Sequence, residues 1–212
     1  MSETHKLYNY RKKNGYDLFF NGIGIDIGGG HDTLSKEVFN GITDITSYDT
    51  SLGLGYDANT CHDLDDESFD FVYSSHCLEH LDDPASAIRH WVRICKKGGF
   101  LVCCVPHEIF YEKCKWPSKA NPRHKSSWTL EWKSNLPKSI HTPDFLKSLE
   151  SESLVDTVYA KTILENFDFN HFDLDQTFYF PGDNTPASGV AICQIEFVLK
   201  KLDSTPTPSY PI

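Results

Sequence analysis

Short apolar stretches rich in β-branched and aromatic residues recur along the chain and predict strands. The first contains Ile23, Ile25 and Ile27 and leads directly into three glycines. The run Phe-Leu-Val-Cys-Cys-Val at 100–105 has no polar position, as expected for a strand covered on both faces. The pattern predicts strands at about 22–28, 44–49, 69–73, 100–105, 155–162 and 190–199.

The clearest helix begins after the third of these strands. Asp83 and Pro84 form a typical N-cap and first helical residue, and apolar positions then recur at helical spacing. Lys96-Lys97-Gly98-Gly99 supplies cations and a glycine stop for its C-terminus. Strand, helix and strand in succession predict a βαβ unit with a right-handed crossover.

Two other segments have a weaker helical pattern. Residues 31–39 are predicted as a helix with Asp32 as its N-cap, and a short helix is predicted to begin at Thr142-Pro143-Asp144. The segment from Asp49 to Asp57 is too short for a helix that connects strands, so we expect a loop there.

These elements predict a single α/β domain over residues 1–202. The expected architecture is a Rossmann-like, doubly wound, mostly parallel sheet with helices on both faces. Residues 1–21 form a short lead-in, and residues 203–212 are expected to be a disordered tail. Residues 107–138 mix aromatic residues with prolines, which predicts an ordered lid over a pocket. The alternative for this segment is a surface insertion with its own small apolar cluster.

Composition narrows the class of protein. The 212 residues are 39% hydrophobic and 24% charged, and neither a secretory leader nor a transmembrane helix is expected from the pattern. Seven cysteines without a CxxC pair indicate reduced thiols, so a cytoplasmic protein is expected. The net charge of −10 argues against nucleic acid as a partner and favours a small or neutral substrate.

The glycine turn is the first candidate for chemistry. Three glycines after a strand let a ligand approach the backbone closely, and Asp26 lies near the end of that strand. Both features suggest a nucleotide-like cofactor. The dinucleotide pattern G-x-G-x-x-G lacks its third glycine, since Thr33 stands there, which weakens the case for an NAD-dependent oxidoreductase.

Four stretches in order resemble the class I S-adenosylmethionine-dependent methyltransferases, in particular the type 11-like small-molecule enzymes. They are Gly24-Ile-Asp-Ile-Gly-Gly-Gly30, Asp57-Ala58, Ser68-Phe-Asp-Phe-Val-Tyr-Ser-Ser-His-Cys-Leu-Glu-His80 and Lys97-Gly-Gly-Phe-Leu101. The resemblance covers about residues 20–107, and the third stretch is the most specific. It implies methyl transfer from S-adenosylmethionine to a hydroxyl or amine of a small molecule or glycan-type acceptor.

The resemblance also implies roles for the residues that bind the cofactor. Asp26, Gly28 and Gly30 would lie along the methionine moiety. Asp49 would accept hydrogen bonds from the ribose hydroxyls, which are two donors suited to a carboxylate. The alternative for Asp49 is an acid that caps a turn at the end of a strand.

The same resemblance extends to the adenine and the reactive methyl. Asp57 would accept from the adenine amino group, and the backbone N–H of Ala58 would meet the ring. Ser74, together with Ser75 and His76, would face the methyl group. This chain departs from the family's pattern at His31-Asp32, where threonine and glycine are common.

A general base is needed where the acceptor is a hydroxyl, and histidine suits that role near neutral pH. His107 is the first candidate, because it follows a strand of the sheet, and Glu108 adjoins it. His76 and His124 are the others. Each could instead be a hydrogen-bonded structural residue, and the whole chain could be a non-catalytic scaffold with a methyltransferase-like fold.

A metal site is not expected from the sequence. His76 and His80 are four residues apart with Glu79 between them, but the H-E-x-x-H pattern is absent because Cys77 follows His76. After the third long strand the chain has Ser74-Ser-His-Cys77 instead of the Asn/Asp-Pro-Pro-Tyr motif of base-modifying methyltransferases. Nucleic acid is therefore disfavoured again, and the oligomeric state is left open.

Overall fold

The computed structural model describes residues 3–52, 55–174 and 191–203. The predicted tail from residue 204 onward and the start of the last predicted strand at residue 190 lie outside these ranges. The helices are α1 (Glu3–Lys6), α2 (Tyr8–Lys13), α3 (Pro84–Ile94) and α4 (Thr142–Glu150). The strands are β1 (Gly22–Ile27), β2 (Ile42–Tyr48), β3 (Phe69–Ser75), β4 (Cys95–Pro106), β5 (Ser127–Thr129), β6 (Ser139–His141), β7 (Val155–Ile163) and β8 (Gln194–Lys201).

The main sheet has six strands in the order β2-β1-β3-β4-β8-β7. The first four are parallel, and β8 runs antiparallel to both β4 and β7. The predicted mostly parallel sheet is therefore confirmed. In register, Ile27 of β1 lies beside Tyr48 of β2, so the loops that follow these two strands emerge at one edge of the sheet.

Alternate residues of the strands point to opposite faces of the sheet. Val72 and Leu101 pack on the face that carries Trp91 of α3 and the residues of α4. Their neighbours Phe71 and Val102 pack on the other face, against the aromatic residues of the N-terminal segment and of the loop after β1. One face is thus covered by the two long helices, and the other by the short helix α2 and by loops.

Helix α3 begins as predicted and ends earlier. The carboxylate of Asp83 accepts a hydrogen bond from the backbone N–H of Ser86 at 3.0 Å, and Pro84 is the first helical residue. The prediction that 96–99 ends the helix is wrong, because α3 stops at Ile94 and these residues belong to β4. The glycine at position 99 is explained by close packing instead, since an added β carbon would lie 2.5 Å from the carbonyl oxygen of Asp70.

The predicted helix over 31–39 is also wrong, because this stretch forms turns. The carboxylate of Asp32, expected as the N-cap, instead accepts a hydrogen bond from the backbone N–H of Thr4 at 2.8 Å. Leu34 and Phe39 are buried against the second face of the sheet, so tertiary packing uses the apolar residues that suggested the helix.

The N-terminal segment is anchored to the sheet by a buried charged network. The guanidinium of Arg11 donates to the hydroxyl of Tyr73 at 2.6 Å and to the carboxylate of Glu196 at 3.3 Å. Tyr16 and Tyr159 also donate to that carboxylate. Because Arg11 and Glu196 are wholly buried, this network fixes where α1 and α2 lie.

Residues 107–138 fold onto the sheet as part of the domain. Trp128 is fully buried between Phe145 and Phe197, and β5 pairs in parallel with β6. One residue of this segment, Arg123, reaches the cavity described below. Its role as a lid stays a prediction. All seven cysteines are free thiols, and in the part of the chain described here no helix has the length and apolar character to cross a bilayer.

Candidate functional site

Two neighbouring cavities lie where β1, β2 and β3 end, which is where ligands bind in open parallel sheets. The Glu3 cavity, of about 480 Å³, is bordered by α1, by the glycine turn at 28–30 and by residues after β3. The Asp49 cavity, of about 380 Å³, is bordered by residues 48–51 and 56–59 and by residues after β3. Gly28 and His76 belong to both cavities.

The glycine turn borders the Glu3 cavity, and its first residue, Gly28, borders both cavities. Gly28 and Gly30 adopt left-handed backbone conformations, with φ of 83° and 51°, which glycine adopts at no steric cost. An added β carbon on Gly28 would lie 2.7 Å from the sulfur of Cys77. On Gly29 it would lie 2.6 Å from the carboxyl carbon of Asp26. The close packing explains why side chains are absent here.

Asp26 lies behind the glycine turn and lines neither cavity. Its carboxylate accepts a hydrogen bond from the backbone N–H of Leu34 at 2.7 Å, and its other oxygen is buried without a partner. Burial raises the pKa of Asp26 to about 7. The geometry gives this residue the task of holding the turn in place.

The Asp49 cavity brings together the three residues that the resemblance assigned to the nucleoside. Asp49 follows β2 directly, and one of its oxygens accepts the backbone N–H of Ser51 at 2.6 Å. Asp57 and Ala58 lie on the same cavity. Hydrogen bonds from Asn59, reinforced by other neighbours, hold the pKa of Asp57 below its usual range, so this carboxylate is ionised at neutral pH.

A pair of tyrosines forms one side of the same cavity. The rings of Tyr48 and Tyr56 are stacked, with centroids 4.2 Å apart and an angle of 20° between planes. The hydroxyl of Tyr48 accepts the backbone N–H of Asp57 at 3.2 Å and donates to Asp63. Sequence reasoning did not assign either tyrosine, although both stand next to residues that it did assign.

The Glu3 cavity is closed on one side by α1, which sequence reasoning did not assign to the site. Glu3 is 3% exposed, and one oxygen of its carboxylate is buried without a hydrogen-bond partner. The hydroxyl of Ser75 is buried in the same way. His5 contacts Asp32 across the cavity. The local sequence of α1 contains no motif that could have predicted this position.

Of the residues at the end of β3 and just after it, His76 borders both cavities and Ser74 borders neither. Ser74 is buried, and its hydroxyl donates to the carbonyl oxygen of Ile27 at 2.8 Å, which ties β3 to β1. His76 has a left-handed backbone with φ of 56°, a conformation that costs energy and recurs at functional sites. Its Nε2 lies 3.2 Å from the amide oxygen of Gln194.

The other two candidate bases have buried positions with internal partners. Nδ1 of His107 accepts the backbone N–H of Ile109 at 3.1 Å, and its Nε2 lies 3.3 Å from Glu131. Burial lowers the pKa of His107. His124 is buried with its Nδ1 bonded to Glu112. Neither residue lines the two cavities.

Comparisons with known proteins agree with this geometry. A family model described as a methyltransferase domain matches residues 5–156, well over half of the chain. The matched range includes the glycine turn and every residue of the Asp49 cavity. No curated protein sequence matches the chain significantly.

Solved structures show the same fold. A SAM-dependent methyltransferase from Archaeoglobus fulgidus is similar with a TM-score of 0.58 and 15% identity, over 93% of this chain and 94% of that chain. A SAM-dependent methyltransferase from Methanosarcina mazei is similar with a TM-score of 0.52 and 16% identity, over 87% of this chain and 93% of that chain. The chain therefore belongs to the methyltransferase-domain family and has the Rossmann-like fold of the class I S-adenosylmethionine-dependent methyltransferases.

Proposed function

We propose that this methyltransferase transfers the methyl group of S-adenosylmethionine to a hydroxyl or amine of a small molecule or glycan-type acceptor. The observation that carries the proposal is the pair of cavities that meet at Gly28 and His76. One cavity has the groups that suit a nucleoside, and the other has the groups that suit a charged amino acid.

The Asp49 cavity fits the nucleoside part of the cofactor. Asp49 would accept hydrogen bonds from the two ribose hydroxyls, as a carboxylate can for two donors. Asp57 would accept from the adenine amino group, and the tyrosine pair offers an aromatic surface near it. Gly30 borders the Glu3 cavity, and an added β carbon on it would lie 3.5 Å from an oxygen of Asp49, so a side chain there would crowd this carboxylate.

The Glu3 cavity fits the amino-acid part. Asp32 supplies a carboxylate. One oxygen of Glu3 is paired with Nζ of Lys6 at 3.0 Å, and its other oxygen is a buried acceptor that an ammonium group would satisfy. The buried hydroxyl of Ser75 can donate to a carboxylate. Both features match a ligand that carries an ammonium and a carboxylate at one end.

The border between the cavities is where the acceptor would meet the reactive carbon. When bound, the cofactor supplies a methyl group on a cationic sulfur, and a nucleophile of the acceptor displaces that sulfur from the methyl carbon. His76 is the ionisable side chain at this border, so we assign it, in preference to His107 and His124, the task of orienting the acceptor or removing its proton. Alignment of the two reactants can lower the activation barrier of such a displacement by up to about 7–11 kcal/mol.

The oxidoreductase alternative fits less well. A dinucleotide places its pyrophosphate at the N-terminus of the helix that follows the glycine turn. Among the described residues after Gly30, the chain forms turns and then β2, and the next α-helix is α3. The site therefore has no helix dipole for a pyrophosphate. The acidic net charge also disfavours a polyanionic acceptor.

Calorimetric titration of the purified protein with S-adenosylmethionine and with NAD⁺ tests the proposal. We expect micromolar binding of the first and none of the second. Asp49→Ala should weaken that binding by about 1–3 kcal/mol, whereas Asp44→Ala, which removes an exposed carboxylate from β2, the strand before Asp49, should not change it. Binding of NAD⁺, or of neither ligand, would contradict the proposal.

Transfer itself is tested with methyl-labelled S-adenosylmethionine and separate pools of hydroxyl and amine acceptors, including sugars. We expect label in the acceptor fraction of one pool, and His76→Ala should reduce it while cofactor binding is retained. A protein that binds the cofactor and labels no acceptor would instead support the scaffold alternative.

A further inference from the structure

A buried carboxylate with imidazoles around it lies beside the proposed methyl-transfer site. Glu79 is in the turn Leu78–His80 after β3 and is fully buried. Its Oε1 lies 3.9 Å from Nε2 of His80 and 3.7 Å from Nε2 of His124. These three ligand atoms all lie within 4.8 Å of one another, and we call the group the Glu79 cluster.

Atoms of this cluster lack hydrogen-bond partners although they are buried. Both carboxylate oxygens of Glu79 and Nε2 of His124 are buried with no hydrogen bond in the structure. An isolated buried carboxylate is strongly unfavourable unless it is paired or coordinates a metal. The Glu79 carboxylate therefore needs a positive charge beside it, which a cation bound within the cluster or a protonated His76 would supply.

The outer nitrogen of each histidine is already engaged, which decides which nitrogen faces Glu79. Nδ1 of His80 lies 3.2 Å from the carbonyl oxygen of Arg123 and can donate to it. Nδ1 of His124 is bonded to the carboxylate of Glu112, which the hydroxyl of Ser118 also contacts. Histidines that bind metals hold their second nitrogen on a carboxylate or carbonyl in this way.

The spacing of the ligand atoms suits a small ion. Two ligands that are each about 2.0–2.1 Å from a tetrahedral Zn²⁺ lie roughly 3.3 Å apart. The separations from Glu79 Oε1 are 3.9 Å and 3.7 Å, so these two pairs need to close by only about half an ångström. The ligand atoms of His80 and His124 lie within 4.8 Å of each other and need to close by up to about 1.5 Å. Two imidazoles with one carboxylate favour Zn²⁺ or a similar transition metal over Mg²⁺ or Ca²⁺, which take oxygen ligands.

We propose that Glu79, His80 and His124 bind one divalent transition-metal ion of the Zn²⁺ class. Since His80 also lines the Asp49 cavity, the ion lies at the wall of that cavity. Three protein ligands leave a fourth position for water or a ligand oxygen. The sequence pattern could not show this site, because His124 comes from a distant segment, whereas sequence reasoning considered only His76 and His80 and did not expect a metal there.

The competing explanation is that a protonated His76 alone neutralises the carboxylate. Nδ1 of His76 lies 3.5 Å from Glu79 Oε1, and the ring could carry a proton on each nitrogen. In that case the pocket between Glu79, His80 and His124 would hold no ion. Metal binding and its ligand set separate these two explanations, and neither measurement depends on methyl transfer.

The test begins with protein stripped by a chelator and then titrated with Zn²⁺ in competition with a chromogenic chelator. We expect one Zn²⁺ per chain, and absorption in the visible range when Co²⁺ replaces it. Glu79→Gln keeps the shape of the side chain and should lower the affinity at least tenfold. His80→Ala changes a partly exposed residue and should do the same with the fold intact, as circular dichroism would verify.

His62→Ala is the matched control, because His62 is exposed and lies outside the Glu79 cluster. The affinity of this variant for Zn²⁺ should equal that of the wild type. X-ray absorption at the zinc edge should show nitrogen and oxygen ligands. No binding, binding that His80→Ala leaves unchanged, or a shell that contains sulfur from the free cysteines would overturn the proposal.

Discussion

Gly30→Ala is the most informative single change in the proposed cofactor site. Gly30 has φ of 51°, and the added methyl would lie 3.3 Å from the hydroxyl of Ser51 and 3.5 Å from an oxygen of Asp49. These are the nearest atoms, so the methyl fits with small adjustments. The left-handed backbone of an alanine costs roughly 1–2 kcal/mol, and the variant should fold.

Gly30→Ala should also weaken the binding of S-adenosylmethionine, in addition to this loss of stability. The methyl would occupy the space beside Asp49 that the ribose needs. Crowding of a well-packed site costs about 1–3 kcal/mol, which corresponds to roughly a five- to 150-fold increase in Kd for S-adenosylmethionine.

Gly15→Ala is the matched control for this variant. Gly15 has φ of 74°, and no atom lies within 4 Å of an added methyl. It carries the same kind of backbone cost at a position between α2 and the sheet, away from both cavities. Calorimetry and urea unfolding should show that both variants lose similar stability and that only Gly30→Ala loses affinity. Wild-type affinity in Gly30→Ala, or an equal loss in Gly15→Ala, would refute the reasoning.

Three further predictions concern buried groups. Burial raises the pKa of Asp26 to about 7, so between its ordinary pKa and 7 only the folded state keeps the proton. The free energy of unfolding therefore falls by roughly 4 kcal/mol as pH rises through this window. Urea unfolding at several pH values should show that Asp26→Asn flattens this pH dependence, and an unchanged pH dependence would contradict the raised pKa. Glu196→Gln leaves the buried charge of Arg11 unpaired and should cost about 3–5 kcal/mol of unfolding free energy; a loss below about 1 kcal/mol would show that the network is not stabilising. His107→Ala should lower the Tm while turnover per folded molecule is retained; a fall in turnover of about 10²-fold or more would identify it as the base instead.

The sequence predicted the elements whose pattern is decided locally. β1, β3 and α3 have strong periodicity or a capping pair, and the structure has them close to the expected bounds. Asp49 directly follows β2, and Asp57 and Ala58 lie in the loop that continues from it, so all three border one cavity at the edge of the sheet where parallel strands end.

The features that sequence reasoning missed depend on contacts between distant segments. The apolar residues of 31–39 are used to cover the sheet, and Asp32 bonds to Thr4, which is 28 positions away. The same holds for α1 as a cavity wall and for His124 beside Glu79. No local spacing in the sequence indicates these contacts, because each joins residues that are far apart in the chain and meet only in the folded domain.

The decisive measurement is a crystal structure of the protein with S-adenosylhomocysteine, the demethylated product. We expect one molecule that spans both cavities, with its ribose on Asp49, its amino-acid end beside Glu3 and its sulfur near His76. Density for the ligand outside these cavities, or a ribose that does not contact Asp49, would contradict it.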